Sequence, residues 1–214
     1  MFGAKKSKVW EEAKNIVIGI KNKKLFSKYS HSNKVDLSSG SYEVNCFGFV
    51  NHILITQKME NSLQEVQNFI DSQENIPRPL NLNPCPVDYV LFLKAITPKQ
   101  YWIPIYDAKL LTPGDIIAYS SDKKYISPEQ GQHIMIVADT IKSSSGSPLI
   151  WVPIFDSTKI SHGLDDSRKI GNGIGQGTIG LELDDQGVPR KLQWRTNSKK
   201  KLPRTITMAR VRGV

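Results

Sequence analysis

Cysteine is scarce in this sequence, long apolar runs are missing and acidic residues are outnumbered; each shortage removes a class of protein. Two cysteines, Cys46 and Cys85, cannot staple a chain of 214 residues, and neither stands in a C-x-x-C or other metal-ligand spacing. A disulfide framework and a structural zinc are therefore set aside. No apolar stretch approaches the roughly 20 residues of a bilayer-crossing helix, so no membrane span is expected. Residues 1–20 do not read as a signal peptide, because Glu11, Glu12 and Lys14 interrupt the apolar positions and no small-residue cleavage site follows. The expected location is the cytoplasm, or the cell envelope, periplasm or exterior if an export signal has been removed. No segment repeats. Gly171, Gly173, Gly175 and Gly177 alternate, but they meet neither the P-loop nor the dinucleotide spacing, and they read as a flexible turn. Nothing in the sequence calls for a cofactor or a metal.

The shortage of acid leaves 20 Asp and Glu against 29 Lys and Arg, a net charge of +9 that attracts polyanions. Basic residues gather at Lys5, Lys6 and Lys8, at Lys21, Lys23 and Lys24, and at Lys199, Lys200, Lys201 and Arg204. Their plainest reading is solvated faces and a loop. No aromatic-and-basic nucleic-acid motif accompanies them, so no specific nucleic-acid partner is expected, whereas an anionic envelope polymer fits the charge.

What is present is an ordinary globular composition, 39% hydrophobic and 23% charged. Helical periods run over residues 9–21, from Cys46 through Phe49, Val50, Ile53 and Leu54, over 62–70 and over 87–96. A polar loop is expected over 27–41, and an irregular connection over 76–86, where Pro77, Pro79, Pro84 and Pro86 cluster. From Tyr101 the pattern turns to strands: 102–106, 115–119, 133–138, 149–155, 178–183, 189–194 and 205–211. Helices first and an antiparallel sheet second is the order of an α+β fold, with N-terminal helices packed on six to seven strands. One domain is expected over 1–214, helical to about 96 and sheet from about 101, acting as a monomer.

Chemistry gathers around Cys46. Polar, turn-prone residues precede it and an apolar helix begins at it, so its thiol stands where free N–H groups and the helix dipole favour thiolate. Cys85, between prolines and without a helix start, should label slowly. His133 opens the apolar strand His133-Ile134-Met135-Ile136-Val137, a place from which an imidazole can turn toward a packed helix. The next strand is apolar until Asp156, a carboxylate that must find a partner or protonate, and His133 on a neighbouring strand is an economical one. Cys46, His133 and Asp156 then form a nucleophile, base and orienter. A strand-end cap is the plainer role for Asp156, and His162, in the polar loop just beyond, is an alternative orienter.

Three segments resemble the NlpC-like cell-wall peptidases, a branch of the papain-like cysteine hydrolases. Asn45-Cys46-Phe47-Gly48-Phe49-Val50 is similar to their Asp-Cys-Ser-Gly-Phe-Val motif. Leu111-Thr112-Pro113-Gly114-Asp115-Ile116 resembles their Leu-x-Pro-Gly-Asp-Leu segment, and Gln132-His133-Ile134-Met135-Ile136-Val137 their His-Val-x-Ile-Tyr strand. The order is the family's, over residues 45–137. The resemblance implies a papain-like fold and cleavage of an amide or isopeptide bond through a thioester, first of all in a murein stem peptide. It also implies a tyrosine upstream of the cysteine lining the site, with Tyr29 the nearer match and Tyr42 the second. Asn45 stands where the family has Asp, a position that can meet a substrate amine, and Phe47 stands where it has Ser. These departures leave open a binding module without turnover, and the same thioester serves acyl transfer equally well.

Overall fold

The first helix shows why the sequence folds as it does. Val9, Ala13, Ile16 and Val17 fall on one stripe of α1 (Lys8–Lys21) and are its buried residues. The computed structural model describes residues 7–73, 83–121, 131–168 and 171–212; Lys5, Lys6, Pro77 and Pro79 lie outside them.

The segment expected as a polar loop instead forms a three-stranded sheet. Strands β1 (Phe26–Lys28), β2 (Lys34–Asp36) and β3 (Ser41–Glu43) lie in the order β1-β3-β2, with β1 parallel and β2 antiparallel to β3. Each strand has three residues, too few for alternation to show in the sequence. The ladder runs on past β3, where Val44 N–H donates to the Lys28 carbonyl and Ser30 N–H to the Val44 carbonyl, and so delivers the chain to α2 (Cys46–Thr56).

Helix α2 buries Cys46, Phe49, Val50, Asn51, Ile53 and Leu54, a nearly all-round apolar pattern that marks a core helix. Helices α3 (Glu60–Asp71) and α4 (Pro86–Lys94) complete the helical layer. Pro86 takes the first position of α4 and Cys85 its N-cap, where the Cys85 N–H donates to Asp88 Oδ2 at 2.7 Å. Cys85 thus stands at a helix start, against expectation. Among the described residues no helix is long and apolar enough to cross a membrane.

The second half is one antiparallel sheet in the order β11-β10-β9-β8-β6-β5-β12-β4, with β7 beside β8. The strands are β4 (Trp102–Ile105), β5 (Ile116–Ser120), β6 (His133–Val137), β7 (Lys142–Ser143), β8 (Leu149–Thr158), β9 (Gly173–Leu183), β10 (Pro189–Gln193), β11 (Leu202–Pro203) and β12 (Thr205–Val211). The fold is therefore α+β, with four α-helices among the described residues, where the sheet has nine strands rather than six or seven, the surplus being the two-residue β7 and β11. The Gly171–Gly177 run is not a turn: from Gly173 onward it is strand, paired residue for residue with β8.

Alternation sorts the core onto the two faces of this sheet. Ile134, Ile136, Ile116, Ala118 and Phe155 pack with the helices, whereas Met135, Val137, Ile117, Ile154, Ile179, Leu192 and Met208 pack with one another on the other face. The sheet coils enough for β10 to touch β12, and the Arg204 N–H reaches the Arg190 carbonyl at 3.5 Å. Strands β6 and β8 pair only at Ile136–Phe155 and Val137–Ile154. Toward His133 they part, and α2 contacts both.

Candidate active site

Local sequence fixes the seat of the Cys46 thiol. Asn45 is the N-cap of α2: its Oδ1 accepts from Gly48 N–H at 2.8 Å, and its carbonyl accepts from Phe49 N–H at 3.0 Å. Asn33 holds Asn45 in turn, its Oδ1 accepting the Asn45 N–H at 2.9 Å. A Cβ on Gly48 would fall 2.0 Å from that same Oδ1, which is why glycine occupies the position. Ser157 Oγ donates to the Val44 carbonyl at 2.7 Å and ties the approach to α2 onto β8. Cys46 is left at the first position of the helix, 6% exposed, its own N–H one of the donors without an intrahelical acceptor.

His133 meets it from the strand end. The imidazole hydrogen-bonds Cys46, and its Nε2 lies 2.7 Å from Asp156 Oδ2, which leaves Nδ1 for the sulfur. Burial pulls the His133 ring down, but the charge of Cys46, then its hydrogen bonds to Asp156 and Cys46, overcome this and push it up to about 9. An imidazolium is thus held beside the sulfur at neutral pH.

Behind His133 lies a buried ionic network. Asp156 is fully buried and is not the end of its strand, since β8 continues to Thr158 and Asp156 pairs with Gly175. Its Oδ2 accepts from His133 Nε2 and from His162 Nε2 at 2.9 Å, and its Oδ1 accepts from an Arg168 Nη at 2.8 Å. Arg168 also donates two bonds of 2.8 Å to Asp166, and one Nη reaches the Asp156 and Gly173 carbonyls at 3.1 and 3.0 Å. Asp166 in turn accepts from the His162 N–H at 2.8 Å. Burial alone would raise the Asp156 carboxyl; the charges of Arg168 and then His162 hold it well below the carboxylate range. The glycines of β9 make the space. A Cβ on Gly175 would lie 2.7 Å from Arg168 Cγ, and one on Gly177 would lie 2.6 Å from His162 Cδ2.

Aromatic rings close the surroundings. Trp194, just past β10, stands edge-on to His133 with centroids 5.0 Å apart and lies 4.0 Å from the His162 ring. Tyr119 is the cross-strand partner of His133, with ring centroids 6.1 Å apart. Burial, then the charge of Cys46, raises its phenol. The Pro-Gly-Asp segment lies at the far end of the β5–β6 ladder: Gly114, at φ +95°, donates its N–H to the Val137 carbonyl, and the buried Asp115 pairs with Arg210 at 2.7 Å. That anchor fixes the register which sets Tyr119 opposite His133.

The structure brings together Cys46, His133, Asp156 and His162, the two histidines sharing Asp156 Oδ2. Asn45 spends its oxygen on the helix cap, and its Nδ2 lies 3.5 Å from His31 Nδ1. Tyr29 runs beside Val44, between His31, edge-on at 5.3 Å, and Lys159 Nζ, 5.2 Å from its ring. Tyr42 is not brought to the thiol: it is buried in the helix-side core, edge-on to His52 at 5.6 Å. Phe47 also packs against that core. Trp194 and Tyr119 carry no sign of the site in the sequence, whereas Asp166 and Arg168 fall in the polar loop that also holds His162. Among the described residues no three His, Cys, Asp or Glu side chains are grouped to hold a metal ion. Compared with models of known families, with curated proteins and with solved structures, the chain matches none.

Proposed function

We propose that this protein is a cysteine hydrolase of papain-like fold that opens an amide or isopeptide bond through a thioester, with a cell-wall stem peptide as its substrate class. The observation that carries the reading is the Cys46 thiol at the start of α2, hydrogen-bonded to an imidazole whose other nitrogen is gripped by a buried carboxylate. The sulfur, having given its proton to His133, attacks the carbonyl carbon, and the oxyanion faces the Cys46 N–H with Tyr29 as a second donor. His133 returns the proton to the nitrogen as the C–N bond breaks, and the amine leaves. Water then attacks the thioester with His133 as base, releasing the acid and the thiol. Asp156 keeps Nε2 protonated throughout, so Nδ1 is the atom that exchanges the proton. The murein assignment rests on the motif resemblance and on a +9 chain suited to an anionic polymer.

The test is Cys46→Ala. The variant should keep a native circular-dichroism spectrum and a single cooperative melt, yet neither cleave stem peptides nor take up a thiol-directed electrophile at this position. Cleavage retained by Cys46→Ala ends the reading.

A further inference from the structure

Among the described residues three buried side-chain nitrogens have no hydrogen-bond partner: His52 Nε2, Trp194 Nε1 and Arg204 Nε. The first lies in the core against Tyr42. The other two stand on either side of His133. Trp194 packs its ring on that imidazole, and Arg204 lies two strands away, just before β12.

The register places Arg204. Ile206 pairs with Tyr119, and Tyr119 pairs with His133. Side chains two residues apart share a face, so Arg204 stands on the side of Ile206, Tyr119 and His133. Its charge reaches the Tyr119 phenol, as do those of Cys46 and Asp156. Arg168, Arg190 and Arg210 each hold an aspartate, whereas the Arg204 side chain has one bond among the described residues, from an Nη to the Pro203 carbonyl at 2.9 Å. A half-buried guanidinium with an orphaned Nε is a costly thing to keep, unless an anion visits it.

We infer that Arg204 binds a carboxylate of the substrate, so that the site takes peptides bearing a free carboxylate on the residue at the scissile bond or the one beside it. The inference rests on the thiol chemistry proposed for Cys46 and names its substrate class. Two inter-strand spacings and two residues along the strand separate His133 from Arg204, about 12 Å between backbones, which is within the reach of one residue and its side chain. The planar fork suits a carboxylate.

Two alkylating agents that differ only in this group make the test. Iodoacetate carries a carboxylate where iodoacetamide carries a carboxamide, and both displace iodide from sulfur. The ratio of their rates at Cys46, read by mass spectrometry of its peptide, is internal to each variant and cancels differences in folded fraction. The ratio should fall about tenfold in Arg204→Gln and less in Arg204→Lys, as expected for loss of one charge-assisted contact. A ratio within about twofold of wild type in Arg204→Gln overturns the inference. If Cys46 reacts with neither reagent, the thiol reading fails instead, and calorimetry decides the carboxylate separately. Glutarate binding to Cys46→Ala and losing its affinity on adding Arg204→Gln supports it; no binding, or binding indifferent to Arg204, overturns it.

Discussion

Replacing Arg168 by methionine removes the cation on which the buried network turns. Its side chain is 4% exposed, beside the Asp156 and Asp166 side chains at 0% and 1%. The change deletes the 2.8 Å contact to Asp156 Oδ1 and both contacts to Asp166, and leaves two carboxylates in a space shaped for a guanidinium. Breaking a buried pair from one side costs about 3–5 kcal/mol. At about 2–4 °C per kcal/mol for a chain of this size, the melting temperature should drop by roughly 10 °C. A cavity alone would give a loss independent of pH, and the network does not. In the native protein Asp156 titrates far below its usual range, so its contribution is present above the unfolded carboxyl pKa of about 3.9 and fades only in stronger acid. Without Arg168, burial is less opposed and the folded pKa climbs, so the protonated form becomes the cheaper one. The destabilisation measured by urea unfolding should therefore be smaller at pH 5 than at pH 8. A loss below about 1 kcal/mol, or one equal at both pH values, would refute the assignment of Arg168 as the counter-charge.

Three further outcomes test the site. Because His133 is raised to about 9 from the ordinary 6.5, the stability of its pairing is full below pH 6.5 and is lost as pH rises through about 9; turnover should fall over the same alkaline range. The Cys46 charge is the largest raising influence, so the ring should titrate lower in Cys46→Ala by NMR, and an unmoved midpoint near 9 would contradict the pairing. Gly177→Ala places a Cβ 2.6 Å from His162 Cδ2, and should cost about 1–3 kcal/mol in thermal unfolding while slowing alkylation of Cys46; a neutral substitution would mean that His162 is not confined.

How much of this was legible in the sequence depends on the range of the interaction. Helices α1 and α2 and strands β6 and β12 announce themselves through local periods, and the Cys46 helix start is written in Asn45 and the apolar run after it. The small sheet was hidden because its strands, Phe-Ser-Lys, Lys-Val-Asp and Ser-Tyr-Glu, are three residues each, too short for an alternation to stand out. The glycines of β9 misled for a physical reason: glycine is normally depleted in strands, and here it is selected by side chains that lie seven or more residues away in sequence. Arg168 and Asp166 looked like solvated loop residues, because burial of a charge pair is a property of the partners and not of either residue alone. Both cysteines prove to stand at helix starts, so a helix start alone does not mark a nucleophile; the imidazole does.

The second histidine explains why the network is so large. Asp156 faces three donors, and His162 faces acceptors at both ring nitrogens, Asp156 Oδ2 and the Trp194 carbonyl at 3.1 Å. Arg168 and His162 thus give Asp156 two partners that do not depend on His133. A lone aspartate behind His133 would have to balance the imidazolium by itself and would be drawn toward protonation by its own burial. Anchored by Arg168 and His162, Asp156 stays ionised whether or not His133 holds its second proton, so in the proposed mechanism the proton passed between sulfur and imidazole leaves the carboxylate unmoved. Constancy of that kind is what an orienting group needs, and on that proposal the buried arginine belongs to the chemistry although it touches neither sulfur nor substrate.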